Sequence, residues 1–205
     1  MTTAFGRVLQ AAVLVGLMAG VAHAGCSYDA KAELALAYDA FDEGAGGWRV
    51  LANRDDSCKG VAADLIAAYR TAHWATLTRD QRSEVLWHEG QTRAWRGDYR
   101  RASALMRQSR DLLSSDDGIG RRFYDDATIA FLERDHIALR RAKAALEAMP
   151  EPAWNVAATQ RFVAKYHVPA PTWPVNHDVV DSLDACFERP YSEAYALSCH
   201  AKPAP

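Results

Sequence analysis

The sequence lacks an apolar run long enough to cross a bilayer: the longest, residues 11–22, has 12 residues, where a spanning helix needs about 20. It also lacks an excess of one charge. Its 24 Lys and Arg stand against 26 Asp and Glu, a formal net charge of -2, which argues against a nucleic-acid partner held by a basic surface. Alternating apolar and polar stretches of strand length are missing. So are a Cys-x-x-Cys pair and a Gly-x-Ser-x-Gly elbow. Gly118-Ile119-Gly120 is too short to cradle a phosphate and runs into Arg121-Arg122. His88-Glu89-Gly90-Gln91-Thr92 opens like a zinc-protease motif, but Thr92 stands where the second histidine belongs. These gaps leave no metal or cofactor to expect. With 49% hydrophobic and 10% aromatic residues, the chain has the material for a buried core, which a disordered segment does not.

What is present begins with an export pattern. Arg7 is the only charged side chain before Asp29; it precedes the short apolar run and the small-x-small triplet Ala22-His23-Ala24. That layout predicts a signal peptide over residues 1–24, cut after Ala24, and a periplasmic or secreted protein. Cys26 follows closely, so lipidation of that cysteine is the alternative to its pairing; His23, three residues before it, fits a lipobox poorly. Removing residues 1–24 takes away one arginine and no acid, an ordinary balance for a soluble domain.

Cys26, Cys58, Cys186 and Cys199 all follow the expected cut. An even count in an oxidising compartment reads as disulfides, and the neighbours along the chain, Cys26–Cys58 and Cys186–Cys199, are the expected pairs among three connectivities.

The apolar period is helical nearly throughout. Val61, Leu65, Ala68, Tyr69 and Ala72 form one stripe; Ala102, Leu105, Met106, Ser109, Leu112 and Leu113 a second; Leu139, Ala142, Ala145, Leu146 and Met149 a third. Each predicts an amphipathic helix packed on neighbours. Breakers divide them. A first helix runs from near Tyr28 to the glycines at 44–47. Asp55, Asp56 and Ser57 offer N-cap oxygens for a helix from Cys58, Thr78 with Gln81 caps the segment to Arg96, and Pro150 stops a later one. The fold class expected is all-α: stacked antiparallel helical hairpins in one domain over residues 25–200, pinned by disulfides, with residues 201–205 a disordered tail.

An echo recurs at a spacing of 37 residues: Gly90, Ala94, Gly97-Asp98 and Ala102 lie over Ala127, Phe131, Arg134-Asp135 and Leu139. With Leu86 and Tyr99, and Pro150 closing the next unit, residues 83–150 resemble the tetratricopeptide repeat family. Glu89 and Arg93 depart from it, standing where that family has apolar residues. The resemblance implies a scaffold that holds a peptide or partner protein in a concave groove, here near Trp87, Glu89, Arg93, Trp95 and Arg96. Polar residues at such places require a partner, which Glu89 and Arg93 can be for each other at i, i+4.

The expected function is thus an exported, non-catalytic protein-binding or scaffold module whose partner is a protein or peptide. Two alternatives stay open. Asp126 and Glu133, seven apart on one helical face, could supply the acid and base of an envelope-acting hydrolase. A small disulfide-pinned protein could also inhibit a secreted enzyme.

Overall fold

A computed structural model describes residues 25–44, 46–113, 120–196 and 199. The expected signal peptide, the loop at 114–118 and the expected tail at 201–205 lie outside the described residues. Among the described residues there are eleven α-helices, one 3-10 turn and no strand, so the chain is all-α. The helices are α1 (Ala30–Leu34), α2 (Tyr38–Asp42), α3 (Trp48–Ala52), α4 (Lys59–His73), α5 (Arg79–Trp95), α6 (Tyr99–Leu112), α7 (Arg121–Leu132), α8 (His136–Glu147), α9 (Ala153–Tyr166), α10 (His177–Ala185) and α11 (Tyr191–Tyr195), with the 3-10 turn at Asp56–Cys58. None of them is long and apolar enough to cross a membrane.

Local chemistry sets many of the boundaries. Thr78 and Gln81 form a reciprocal capping box: the Gln81 amide donates to Thr78 Oγ1 at 3.2 Å, and the Thr78 amide donates to Gln81 Oε1 at 3.0 Å. Asp55 accepts from the Ser57 amide at 2.8 Å. The two turns of the 37-residue echo share one construction. Gly97 and Arg134 both take positive φ, at 83° and 60°, and the following Asp98 and Asp135 accept from the amides of Arg101 and Ala138. Each turn folds its two helices back on one another, α5 on α6 and α7 on α8. Gly90 faces this first crossing: a Cβ there would stand 2.8 Å from Met106 Cγ and 3.2 Å from the Ala102 carbonyl oxygen.

The single first helix expected from near Tyr28 is instead two, α1 and α2, broken at residues 35–37. The reason is tertiary. Tyr69 Oη donates to the Leu36 carbonyl at 3.0 Å, and His73 Nε2 lies 2.9 Å from the Leu34 carbonyl. Side chains of α4 thus occupy carbonyls that a continuous helix would have used itself.

Two apolar cores result. The first gathers Phe41, Trp48, Leu51, Leu65, Ile66 and Tyr69, with the Cys26–Cys58 disulfide among them. The second gathers Met106, Tyr124, Phe131, Leu139, Leu183 and Tyr191, with Cys186. Helix α5 serves both, giving Val85 to the first and Trp87 to the second. The expected cysteine pairs are those formed: Cα–Cα distances are 5.3 Å for Cys26–Cys58 and 5.6 Å for Cys186–Cys199.

Candidate functional site

Helix α5 and the residue that caps its end, Arg96, carry the five residues singled out for a groove, and the structure distributes them over three surroundings. Trp87 is buried in the second core beside Tyr124, ring centroids 5.4 Å apart. Glu89 is fully buried at 0% exposure. Its Oε2 accepts from Arg70 Nε and Nη2 at 3.0 and 2.8 Å, and its Oε1 from Arg93 Nε at 2.9 Å and Arg101 Nη2 at 3.1 Å. Arg93 continues to Asp64 Oδ1 at 3.0 Å. A buried charge demands such partners, and here they tie α4, α5 and α6 together. Trp87 is thus taken up by core packing, and Glu89 and Arg93 by mutual pairing.

Trp95 and Arg96 come out differently. At the end of α5 the helix leaves the interior, and Trp95 is half-buried on the wall of a cleft of about 240 Å³ between the two cores. Gln91, Thr92 and Trp95 share this face of α5; Trp48, Arg49 and Asn53 approach from the α3 side, Lys59 from the start of α4, and Tyr191 and Tyr195 from α11. A second recess of about 400 Å³, lined by Asp56, Arg96, Ser192 and Glu193, adjoins it through Trp95.

The cleft is built stiffly. Lys59 Nζ sits 4.8 Å above the Trp95 ring and Tyr195 meets that ring edge-on at 6.1 Å. Gln91 Nε2 donates to both Tyr124 Oη and Tyr195 Oη at 3.2 Å. Burial pushes the hydroxyls of Tyr124 and Tyr191 well above the usual tyrosine range, so they stay neutral. Two disulfides stand near it: Cys26–Cys58 ties the 3-10 turn that leads into Lys59, and Cys186–Cys199 brackets α11.

Beside the cleft lies an arrangement that sequence reasoning missed. Asp42 is buried, and its Oδ1 accepts from Trp48 Nε1 at 2.9 Å and pairs with His88 Nδ1 at 2.8 Å. Burial pushes this carboxyl up, but the His88 bond and charge and the Trp48 bond outweigh it and hold it at about 2. An Asp–His pair suggests a catalytic dyad. The other ring nitrogen, Nε2, however, meets the Arg49 guanidinium at 3.4 Å, so among the described residues the pair is given no nucleophile to activate. Asp42 and His88 are 46 residues apart, and no spacing rule joins them.

Asp126 and Glu133 do line a common groove, of about 380 Å³, with Phe123, Ile129 and Arg141. Arg110 grips Asp126 through Nε and Nη2 at 2.8 and 2.9 Å, and Arg107 grips Glu133 through the same two nitrogens, Nε at 2.8 Å. Two carboxylates each gripped by its own arginine sit in like surroundings, not the contrasting ones that divide acid and base roles in a hydrolase. Glu147, His177 and Asp181 bring ligand atoms within 4.8 Å of one another. The Lys143 ammonium already bonds Glu147 at 2.8 Å and also Asp181, supplying the positive charge that a cation would bring. No family model, curated protein or solved structure matches the chain.

Proposed function

We propose that the protein is an exported, non-catalytic binding module that holds a protein or peptide segment in the cleft between its cores. The observation that carries this reading is Trp95: a partly buried aromatic ring at the shared edge of two adjoining recesses. Rings of Trp95 and Tyr195 line the cleft with apolar area at low entropic cost, and the side-chain amide of Gln91 lies beside them. Arg49, Lys59 and Arg96 with Asp56 and Glu193 give the rim both signs of charge, which suits a polypeptide better than a uniformly charged ligand. The repeated hairpin turns at Gly97-Asp98 and Arg134-Asp135 agree with the tetratricopeptide-like reading of stacked hairpins. The neutralised acids in the Asp126–Glu133 groove speak against the hydrolase alternative.

The test is site-directed photo-crosslinking in envelope extract of the source organism. A crosslinker at Asn53, exposed on the cleft rim, should capture a discrete partner, and one at Ile137, 75% exposed on α8, should not. Adding Trp95→Ala should cut the Asn53 adduct at least tenfold. Equal adducts at both positions, or one indifferent to Trp95→Ala, would refute the assignment.

A further inference from the structure

Helix α9 is the one long helix among those described that buries nothing. None of its 14 residues is buried, none belongs to either core or packs against one, and it packs closely on no other helix. Its large apolar side chains face outward: Trp154 is 55% exposed, Phe162 43% and Tyr166 53%. The other long helices bury most of their large apolar residues, since leaving them wet forfeits the main stabilising term of folding.

The segment around it is set apart in both shape and charge. Pro150 and Pro152 precede α9, and Pro169, Pro171 and Pro174 follow it. The arm closes at its base where Trp173 Nε1 donates to the Met149 carbonyl at 3.0 Å. From residue 152 to residue 177 there is no Asp or Glu, in a chain that has 26 of them, while Arg161 and Lys165 lie on α9. On the helix surface Trp154, Arg161 and Lys165 fall at i, i+7 and i+11 and share a stripe; Phe162 and Tyr166, i and i+4, form the stripe beside it.

We infer that α9 docks flat on an anionic phospholipid surface, its rings at headgroup depth and Arg161 and Lys165 against lipid phosphates. At 1.5 Å per residue the helix is about 21 Å long, too short to span the hydrocarbon core but able to lie along its boundary. Charge complementarity selects the occupant. A protein groove covering this stripe would desolvate both cations and would have to bring acids to meet them. A bilayer lets long basic side chains reach phosphates while aromatic rings remain at the interface. A helix that carries no acid and turns its rings outward suits a plane.

Co-sedimentation of the exported, disulfide-bonded chain with vesicles tests this. Binding is expected to vesicles of equimolar phosphatidylglycerol and phosphatidylcholine at low salt, to weaken as salt rises, and to be slight on pure phosphatidylcholine. Arg161→Ala and Lys165→Ala should each weaken it roughly fivefold. Trp154→Ala with Phe162→Ala should abolish it while leaving the thermal melt unchanged, because both side chains are exposed. Failure to bind the anionic vesicles, or binding indifferent to these substitutions, overturns the proposal. So does self-association of the chain that the aromatic variant removes while vesicles stay unbound; α9 would then be covered by a second copy.

Discussion

Glu89 and Arg93 stand one turn apart on α5 and meet in the interior, Arg93 Nε donating to Glu89 Oε1 at 2.9 Å. Two residues that break an apolar repeat pattern thus complete each other's hydrogen bonding, and Arg70 and Arg101 finish the job from α4 and α6. The cluster holds three helices in register.

The partners of Glu89 differ in exposure, and so should their importance. Glu89→Ala strands Arg93, whose side chain is 10% exposed, with only Asp64 to meet it, and is expected to cost about 3–5 kcal/mol. Arg101, with a side chain 50% exposed, can return to water, so Arg101→Ala should cost about 1 kcal/mol or less. Urea midpoints compare the two; similar losses would show that the cluster does not depend on burial.

The division between what spacing reveals and what it hides follows sequence distance. The capping box at Thr78, the two Asp-capped turns and the small residue at Gly90 are local arrangements, and all were readable. Both disulfides join cysteines adjacent in chain order, so the pairing was readable too. The break between α1 and α2 was not, because Tyr69 and His73, 33 and 39 residues from the carbonyls they meet, cause it. Burial of Glu89 depends on Arg70, 19 residues away, and the Asp42–His88 pair on a fold that brings α2 against α5. Trp95 was singled out in sequence, yet only the placement of α11 makes its surroundings a cleft.

Gly90 offers a second prediction. In an open helix, alanine would gain roughly 0.5–1 kcal/mol over glycine. Here the added Cβ meets Met106 Cγ at 2.8 Å, a mid-chain atom of a fully buried residue, so the α5–α6 crossing must widen. Gly90→Ala should therefore destabilise by about 1–3 kcal/mol, read as a lowered thermal midpoint. A rise would mean that Met106 repacks freely.

Acid should find Asp42. Its carboxyl is held at about 2 in the fold against an ordinary 3.8, so the folded state takes up the proton less readily than the unfolded chain. The stability it contributes is full above about pH 4 and is lost as pH falls toward 2, on the order of 2 kcal/mol in all. Asp42→Asn should lower stability at neutral pH and flatten that acid limb. Parallel wild-type and Asp42→Asn curves between pH 4 and pH 2 would show that other carboxylates set the limb.

The two disulfides should separate stability from binding. Their sequence separations of 32 and 13 residues give about 4 and about 3 kcal/mol in the chain-entropy model, so losing Cys26–Cys58 should lower the urea midpoint more. Binding should rank the other way. Cys186–Cys199 brackets α11, which brings Tyr191 and Tyr195 to the cleft, and the Tyr99 hydroxyl accepting from the Tyr191 amide at 2.9 Å is a lighter restraint on that wall. A Cys186→Ala, Cys199→Ala protein that remains folded should lose most of the crosslink at Asn53, because the preorganised ring surface opposite Trp95 is gone. Undiminished crosslinking in that variant would mean the partner is held by the α3 and α5 walls alone, and α11 would drop out of the site.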